Sequence, residues 1–265
     1  LFGASGTTDA FVAASTVPTV IYDLLIGGAV SAALIPVFSG FSEDEEGERE
    51  LWHLASIVIS LAVLVLGAAI LVMEGLAGQL VWFLGRGFEE AVREQTILLV
   101  RLMLPATLFM GLSGITTALL YSRQSFTLPA FCIASYNLGI IAIALTLAGK
   151  LGVTSLVIGV LVGAFLQLAI QLPGLRRMTF TPSLDFSHPA VRRILGLYLP
   201  VAAGLVVSAC GVFVDRNLAS RTGEGNMAAM RFATALIQFP LGLIATALSY
   251  ALLPTLARYA ESASD

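Results

Sequence analysis

Seven stretches of this chain run for about 20 residues or more with almost no charge, the length needed to cross a bilayer. Residues 102–122, 128–149, 151–175, 194–214 and 232–257 are free of Asp, Glu, Lys, Arg and His. Residues 51–73 carry only His53, and residues 10–38 only Asp23. Hydrocarbon offers no water to backbone polar groups, so spanning segments are helices or closed barrels. Barrel strands alternate over about 10 residues; these runs are longer and apolar on all sides. The expected fold class is all-α, a polytopic membrane helix bundle. Its helices are predicted at about 10–40, 51–74, 95–122, 128–149, 151–175, 190–219 and 227–258. The shorter segment 75–90, with Trp82 and Phe83, is expected at a membrane interface, where aromatic rings anchor.

Only 12% of residues are charged, against about 25% in a soluble domain. The net charge of −3 and pI near 5.4 give no electrostatic footprint for nucleic acid. Cys132 and Cys210 fall inside predicted spans and read as small buried hydrophobes. His53 and His188 are distant in sequence and suggest no metal site. No Ser/His/Asp set, metal-ligand spacing or phosphate-binding Gly loop is present, so the expectation is a protein that is not an enzyme and needs no cofactor, with a coupling ion left unspecified. The chain opens on Leu1 without a signal peptide and is read as lacking an N-terminal segment.

Positive charge is unevenly shared between alternate loops. Arg49, Arg123, Arg176, Arg177, Arg192, Arg193 and Arg258 fall on one side; Arg86, Arg93, Lys150 and Arg221 fall on the other. The richer side is expected to be cytoplasmic, which puts loops 41–50, 121–128 and 173–193 there. The acidic run 43–50 on that side reads as a solvated loop and does not reverse the assignment.

Two spans share an unusual construction. The segment 10–38 contains Pro18 and closes on Ala33-Leu34-Ile35-Pro36. The segment 232–257 contains Pro240 and closes on Ala251-Leu252-Leu253-Pro254. Each follows a polar, Gly-containing lead-in, Gly3-Ala4-Ser5-Gly6-Thr7-Thr8 and Gly223-Glu224-Gly225-Asn226. Pro36 and Pro254 lie 218 positions apart. Helices interrupted at corresponding places in two halves point to a secondary transporter. The breaker-rich loop with Pro182, Ser183, Asp185 and Pro189 marks a boundary: an N-terminal lobe over 1–178, an inter-lobe loop over 179–193, and the start of a C-terminal lobe over 194–265. Pro18, Pro36, Pro240 and Pro254 are the candidate hinges.

Charge inside a span is costly, about 2.5–3.5 kcal/mol at a helix centre on insertion scales, so such residues face a cavity or the bundle interior. Asp9 reads either as a helix-start carboxylate favoured by the dipole or as a gate contact between lobes. Ser15 and Thr16, the other gate candidates, read equally well as helix hydrogen-bonding groups. Asp23, Asp215, Arg216, Arg231 and Gln238 are the candidate cavity residues. An inward Arg216 or Arg231 offers fixed positive charge to a phosphate or carboxylate. Glu74 and Arg101 read as interfacial.

The lead-in 1–11 with Pro18, Gly28-Ala29 and Ile35-Pro36-Val37-Phe38 resembles the second-helix motif of the MurJ (MviN) lipid II flippases. Pro129-Ala130-Phe131 before Asn137, Gln171-Leu172-Pro173, Phe239-Pro240-Leu241-Gly242 and Leu252-Leu253-Pro254 fit the same family in the same order. The resemblance implies two pseudo-repeat lobes around a central cavity, the first here lacking its first helix and the second represented by its first two. It also implies alternating-access transport of an undecaprenyl-linked glycan lipid in the bacterial inner membrane, among membrane lipids and cell-wall synthesis proteins. Where the family usually has an Arg pair and a Glu after the first proline, this chain has Tyr22, Asp23 and Gly27. Where it often has an Asp-Arg pair and a Glu, this chain has Thr234, Ala235 and Gln238. A non-transporting scaffold that binds lipid intermediates, or an exporter of another lipid-linked glycan or drug, are the alternative readings.

Overall fold

The computed structural model describes residues 2–42, 44–176, 178–242 and 244; Pro254 lies outside them. Among these residues the regular structure is helical throughout: α1 (Gly6–Tyr22), α2 (Ile35–Phe38), α3 (Glu45–Leu84), α4 (Glu90–Met103), α5 (Ala106–Ser122), α6 (Thr127–Ala130), α7 (Cys132–Leu151), α8 (Thr154–Ala169), α9 (Pro189–Ser220) and α10 (226–242). Among the described residues six helical segments, one of them α4 and α5 taken together, are long and apolar enough to cross a membrane.

The first span, Gly6–Phe38, is not broken at its prolines. Pro18 sits within α1, and two π-helical turns, Asp23–Gly27 and Val30–Leu34, carry the chain on to α2. The second ends where Pro36 has no N–H to return to the ladder. Widened turns absorb the mismatch that would otherwise kink the helix. Small residues admit this widened region to the bundle. A Cβ on Gly28 would stand 2.4 Å from Leu205 Cδ1 on α9, and one on Gly114 of α5 would stand 2.6 Å from Ile26 Cγ2. Close approach through small residues is how membrane helices gain packing without a hydrophobic drive.

Residues 51–74 and 75–90 were expected as a span and a separate interfacial segment. They form instead one 40-residue helix, α3, ending at Leu84. At about 1.5 Å per residue it is roughly 60 Å long, twice the hydrocarbon thickness. Nothing in Gly75 or Gly78 stops it, because an isolated glycine costs only about 1 kcal/mol in a helix. Trp82 and Phe83 are exposed on its last turns, with the Arg86 guanidinium 4.4 Å from the Trp82 ring centre. Conversely, the single helix expected over 95–122 is divided at Leu104-Pro105 into α4 and α5.

Two apolar clusters hold the bundle. One joins the end of the first span to α3, α5 and α9 through Phe38, Leu51, Leu54, Leu66, Ile115 and Ile194. The other joins α1, α3, α4 and α8 through Val17, Leu84, Leu99, Met103 and Val157. The loop before α9 lies along α3: Thr181 N donates to Ser56 Oγ at 3.3 Å and Ser183 N to Ser60 Oγ at 3.2 Å. Four helical residues rise about 6 Å and two extended residues about 6.6 Å, so the two spacings match.

Candidate functional site

The two proline-containing helices, α1 and α10, meet at their N-termini. Gly225 immediately precedes α10 and has no side chain with which to cap it. Asp9, in the first turn of α1, supplies the cap from across the bundle. Its Oδ2 accepts from Gly225 N at 2.6 Å and its Oδ1 from Ala228 N at 2.7 Å. Asp9 is 2% exposed. The contact is reciprocated: Gly6 N, the first donor of α1, donates a hydrogen bond to Glu224 Oε1 at 2.9 Å. Ser5, at the N-cap of α1, makes no capping bond to the helix; its hydroxyl is within reach of Phe2 O, Thr7 Oγ1 and Thr8 Oγ1. Each helix start is thus satisfied by a carboxylate from the other segment, and anionic groups are favoured at both by the helix dipole.

The turn between α3 and α4 completes the junction. Gly87 N donates to Ser220 Oγ at 3.2 Å, and the Asn217 amide donates to Phe83 O. Arg221 donates to Asn217 Oδ1 at 2.7 Å. A Cβ on Gly87 would fall 2.1 Å from Ser220 O, and one on Gly225, which has φ +81°, 2.9 Å from Ala4 O. Only glycine permits these approaches. A cavity of about 220 Å³ remains between the segments, with Asp9, Glu89 and Glu224 in its lining. Behind it Val12, Ala13, Ala219, Met227 and Ala228 form a buried apolar cluster. All of these residues lie at the end of the bundle opposite the Arg-rich loops.

Further along the same helices, Arg216 on α9 and Arg231 on α10 are within Coulombic range of one another, with Asp215 beside them. Arg231 is also within that range of Tyr136 on α7. Arg216 Nε is buried without a hydrogen-bond partner among the described residues. Two guanidinium groups from two helices therefore feel each other's charge below the junction. Gln238 is exposed on α10 near Pro240. Asp23 is exposed at the first π turn, where its carboxylate lies over Gly27. Neither joins the Arg216–Arg231 pair in a hydrogen bond or ion pair among the described residues. Ser15 and Thr16 both donate to Val12 O within α1 and take no part in the crossed caps.

Sequence reading named Asp9 and passed over Glu224, Gly87, Asn217 and Ser220. The signal for Glu224 was available: it follows Gly6 by 218 positions, the same offset as the paired prolines. His53 and His188, distant in sequence, meet edge-to-face with ring centres 6.2 Å apart; no group of three metal-ligating side chains occurs among the described residues. Glu74 and Arg101, read as separate interfacial charges, approach to 3.9 Å, an exposed pair of small energetic value.

A family model described as lipid II flippase MurJ matches residues 1–265. The lipid II flippase MurJ of Burkholderia cenocepacia is 31% identical over 97% of this chain and 52% of its own length. A solved structure, lipid II flippase MurJ in an inward closed conformation, superposes with a TM-score of 0.81 at 23% identity, over 96% of this chain and 53% of that one. The chain spans about half the length of the curated relatives it matches.

Proposed function

The chain belongs to the lipid II flippase MurJ family, and from that membership we propose that it serves to move the lipid-linked peptidoglycan precursor lipid II across the bacterial cytoplasmic membrane by alternating access. The observation that carries the mechanism is the crossed capping of α1 by Glu224 and of α10 by Asp9. In this reading the first five spans form one lobe, α9 and α10 begin the other, and the crossed caps are a gate on the outer side. Hydrogen bonds to charged groups contribute about 1.5–3 kcal/mol each. Three of them, partly replaced by water on opening, fall in the range of a few kcal/mol that separates interconverting conformations.

Arg216 and Arg231 supply the chemistry behind that gate. A diphosphate head group carries negative charge that two guanidinium groups on neighbouring helices attract through permanently charged donors. Asp215 lowers the net charge of the pair, which favours release after each passage. Pro18, Pro36, Pro240 and Pro254 are the hinges about which the paired helices bend, and the two π turns beside Asp23 are a further place where the first helix can change register.

The test is rescue of cells depleted of their own flippase, followed by a leaflet-exchange assay with the purified protein. Rescue and exchange are the expected result. Binding of lipid II without exchange, by a well-expressed protein that fails to rescue, would favour the scaffold reading suggested by Tyr22, Asp23 and Gly27 in place of the family's usual Arg pair and Glu.

A further inference from the structure

The end of the bundle that carries the Arg-rich loops holds a second cavity, remote from the crossed caps. It has a volume of about 530 Å³ and lies between the start of α3, the end of α5 and the 3-10 turn Leu172–Leu175. Its lining is divided. Leu119 and Leu120 form an apolar floor, Trp52 stands beside them, and Arg123, Arg176 and Glu48 bring charge. We propose that this cavity binds the phosphodiester head group of an anionic glycerophospholipid in the cytoplasmic leaflet, with Arg123 and Arg176 as its cationic ligands.

Local backbone geometry fixes both arginines. Helix α5 ends with Ser125 N bonded to Leu120 O at 2.9 Å and Gln124 N to Tyr121 O at 3.0 Å. Gln124 has φ +55°. This is a Schellman ending with glutamine where glycine is usual, and it sets Arg123 at the cap, on the cavity wall. On the opposite wall Gly174 is pressed against α5, since a Cβ there would stand 2.6 Å from Leu120 Cδ2. Arg176 follows it by two residues. A guanidinium has five donors. Arg123 gives one bond, to Ser42 O at 3.4 Å, and Arg176 forms no hydrogen bond or ion pair among the described residues. Both retain free donors directed at a shared cavity.

Charge and depth select the ligand. Two guanidinium groups against one carboxylate, Glu48, leave one net positive charge, which suits the single negative charge of a phosphodiester. The apolar floor and the indole suit acyl-chain methylenes at interface depth, where tryptophan anchors. Basic pockets between membrane helices on the cytoplasmic side are a recurrent solution for anionic head groups.

Native mass spectrometry of the purified full-length protein, with phosphatidylglycerol or phosphatidylcholine added, tests this. Phosphatidylglycerol should be retained in preference, and Arg176→Gln, an exposed side chain whose loss leaves the fold intact, should lower its retention about fivefold. Arg123→Gln with Arg176→Gln should abolish the preference, while Arg192→Gln with Arg193→Gln, on the same side but outside the cavity, should preserve it. Equal losses from both pairs would reduce the effect to surface potential and overturn the proposal. Displacement of the lipid by millimolar inorganic phosphate would overturn it too, by assigning the cavity to free phosphate.

Discussion

Asp9 and Glu224 each hold the first turn of the helix that the other introduces. Asp9 spans the N-cap and third-residue amides of α10, the two donors that a helix normally satisfies with its own N-cap side chain and a following Glu or Gln. Glu224 takes the first amide of α1. Two helix starts are completed only when the segments are together, so their separation exposes four groups at once: two carboxylates and two sets of unpaired amides.

Asp9→Asn keeps one acceptor oxygen where two are used. With a charge-assisted bond worth about 1.5–3 kcal/mol, the contact should open roughly 10- to 150-fold more often. Ala13, fully buried against Met227 and Ala228, reports this as Ala13→Cys in a chain with Cys132 and Cys210 replaced by alanine. Its reaction with a membrane-impermeant thiol reagent should accelerate by about that factor. Gly225→Ala should act in the same direction, because its positive φ and the nearby Ala4 carbonyl both exclude a Cβ. Reaction rates unchanged by either substitution would dismiss the gate.

Arg216→Ala and Arg231→Ala should each weaken lipid II binding about tenfold, the effect of one charged hydrogen bond. Rescue of flippase-depleted cells should weaken in parallel. A titration of binding against salt should also become shallower, since fewer phosphate charges are neutralised. Undiminished binding by both variants would place the head group elsewhere.

The loop over α3 offers a test independent of transport. Ser60→Ala removes the acceptor of Ser183 N, a bond worth about 0.5–1.5 kcal/mol. Hydrogen exchange at residue 183 should rise roughly two- to tenfold, while amides in α5 keep their rates. If exchange at 183 stays constant, the loop is held by its apolar contacts alone.

Asp44 caps α3 by accepting from Gly47 N at 2.9 Å and from the Ser42 hydroxyl. The Ser42 bond, then the Gly47 bond, holds its carboxyl below the usual carboxylate range. A depressed folded-state pKa contributes stability above the unfolded value, about 3.9, and that stability is lost as pH falls through the folded value. Exchange at residues 45–48, corrected for intrinsic rate, should therefore rise on acidification below about pH 4. Asp44→Asn caps without titrating and should remove that pH dependence.

Helix class and most helix positions were legible because apolar length and the demand for internal backbone hydrogen bonding leave one solution. The boundaries were less so. Gly75 and Gly78 did not end α3, because the penalty of a glycine is small beside the continuity of a long helix, whereas Pro105 did divide α4 from α5. The π turns left no mark in sequence, since they reflect how Pro36 and the packing of Gly28 and Gly114 act together on one stretch of helix.

For the candidate site, the sequence by itself determined that two helices of like construction exist, that they are paired at a fixed offset, and that Asp9, Arg216 and Arg231 are charges in need of partners. Only the tertiary structure decided which partners. Asp9 satisfies amides more than 200 positions away, and the apparently uncapped start at Gly225 is capped in trans. A hydrogen bond forms between groups adjacent in space, and for residues this far apart adjacency is a property of the bundle rather than of any local stretch of chain.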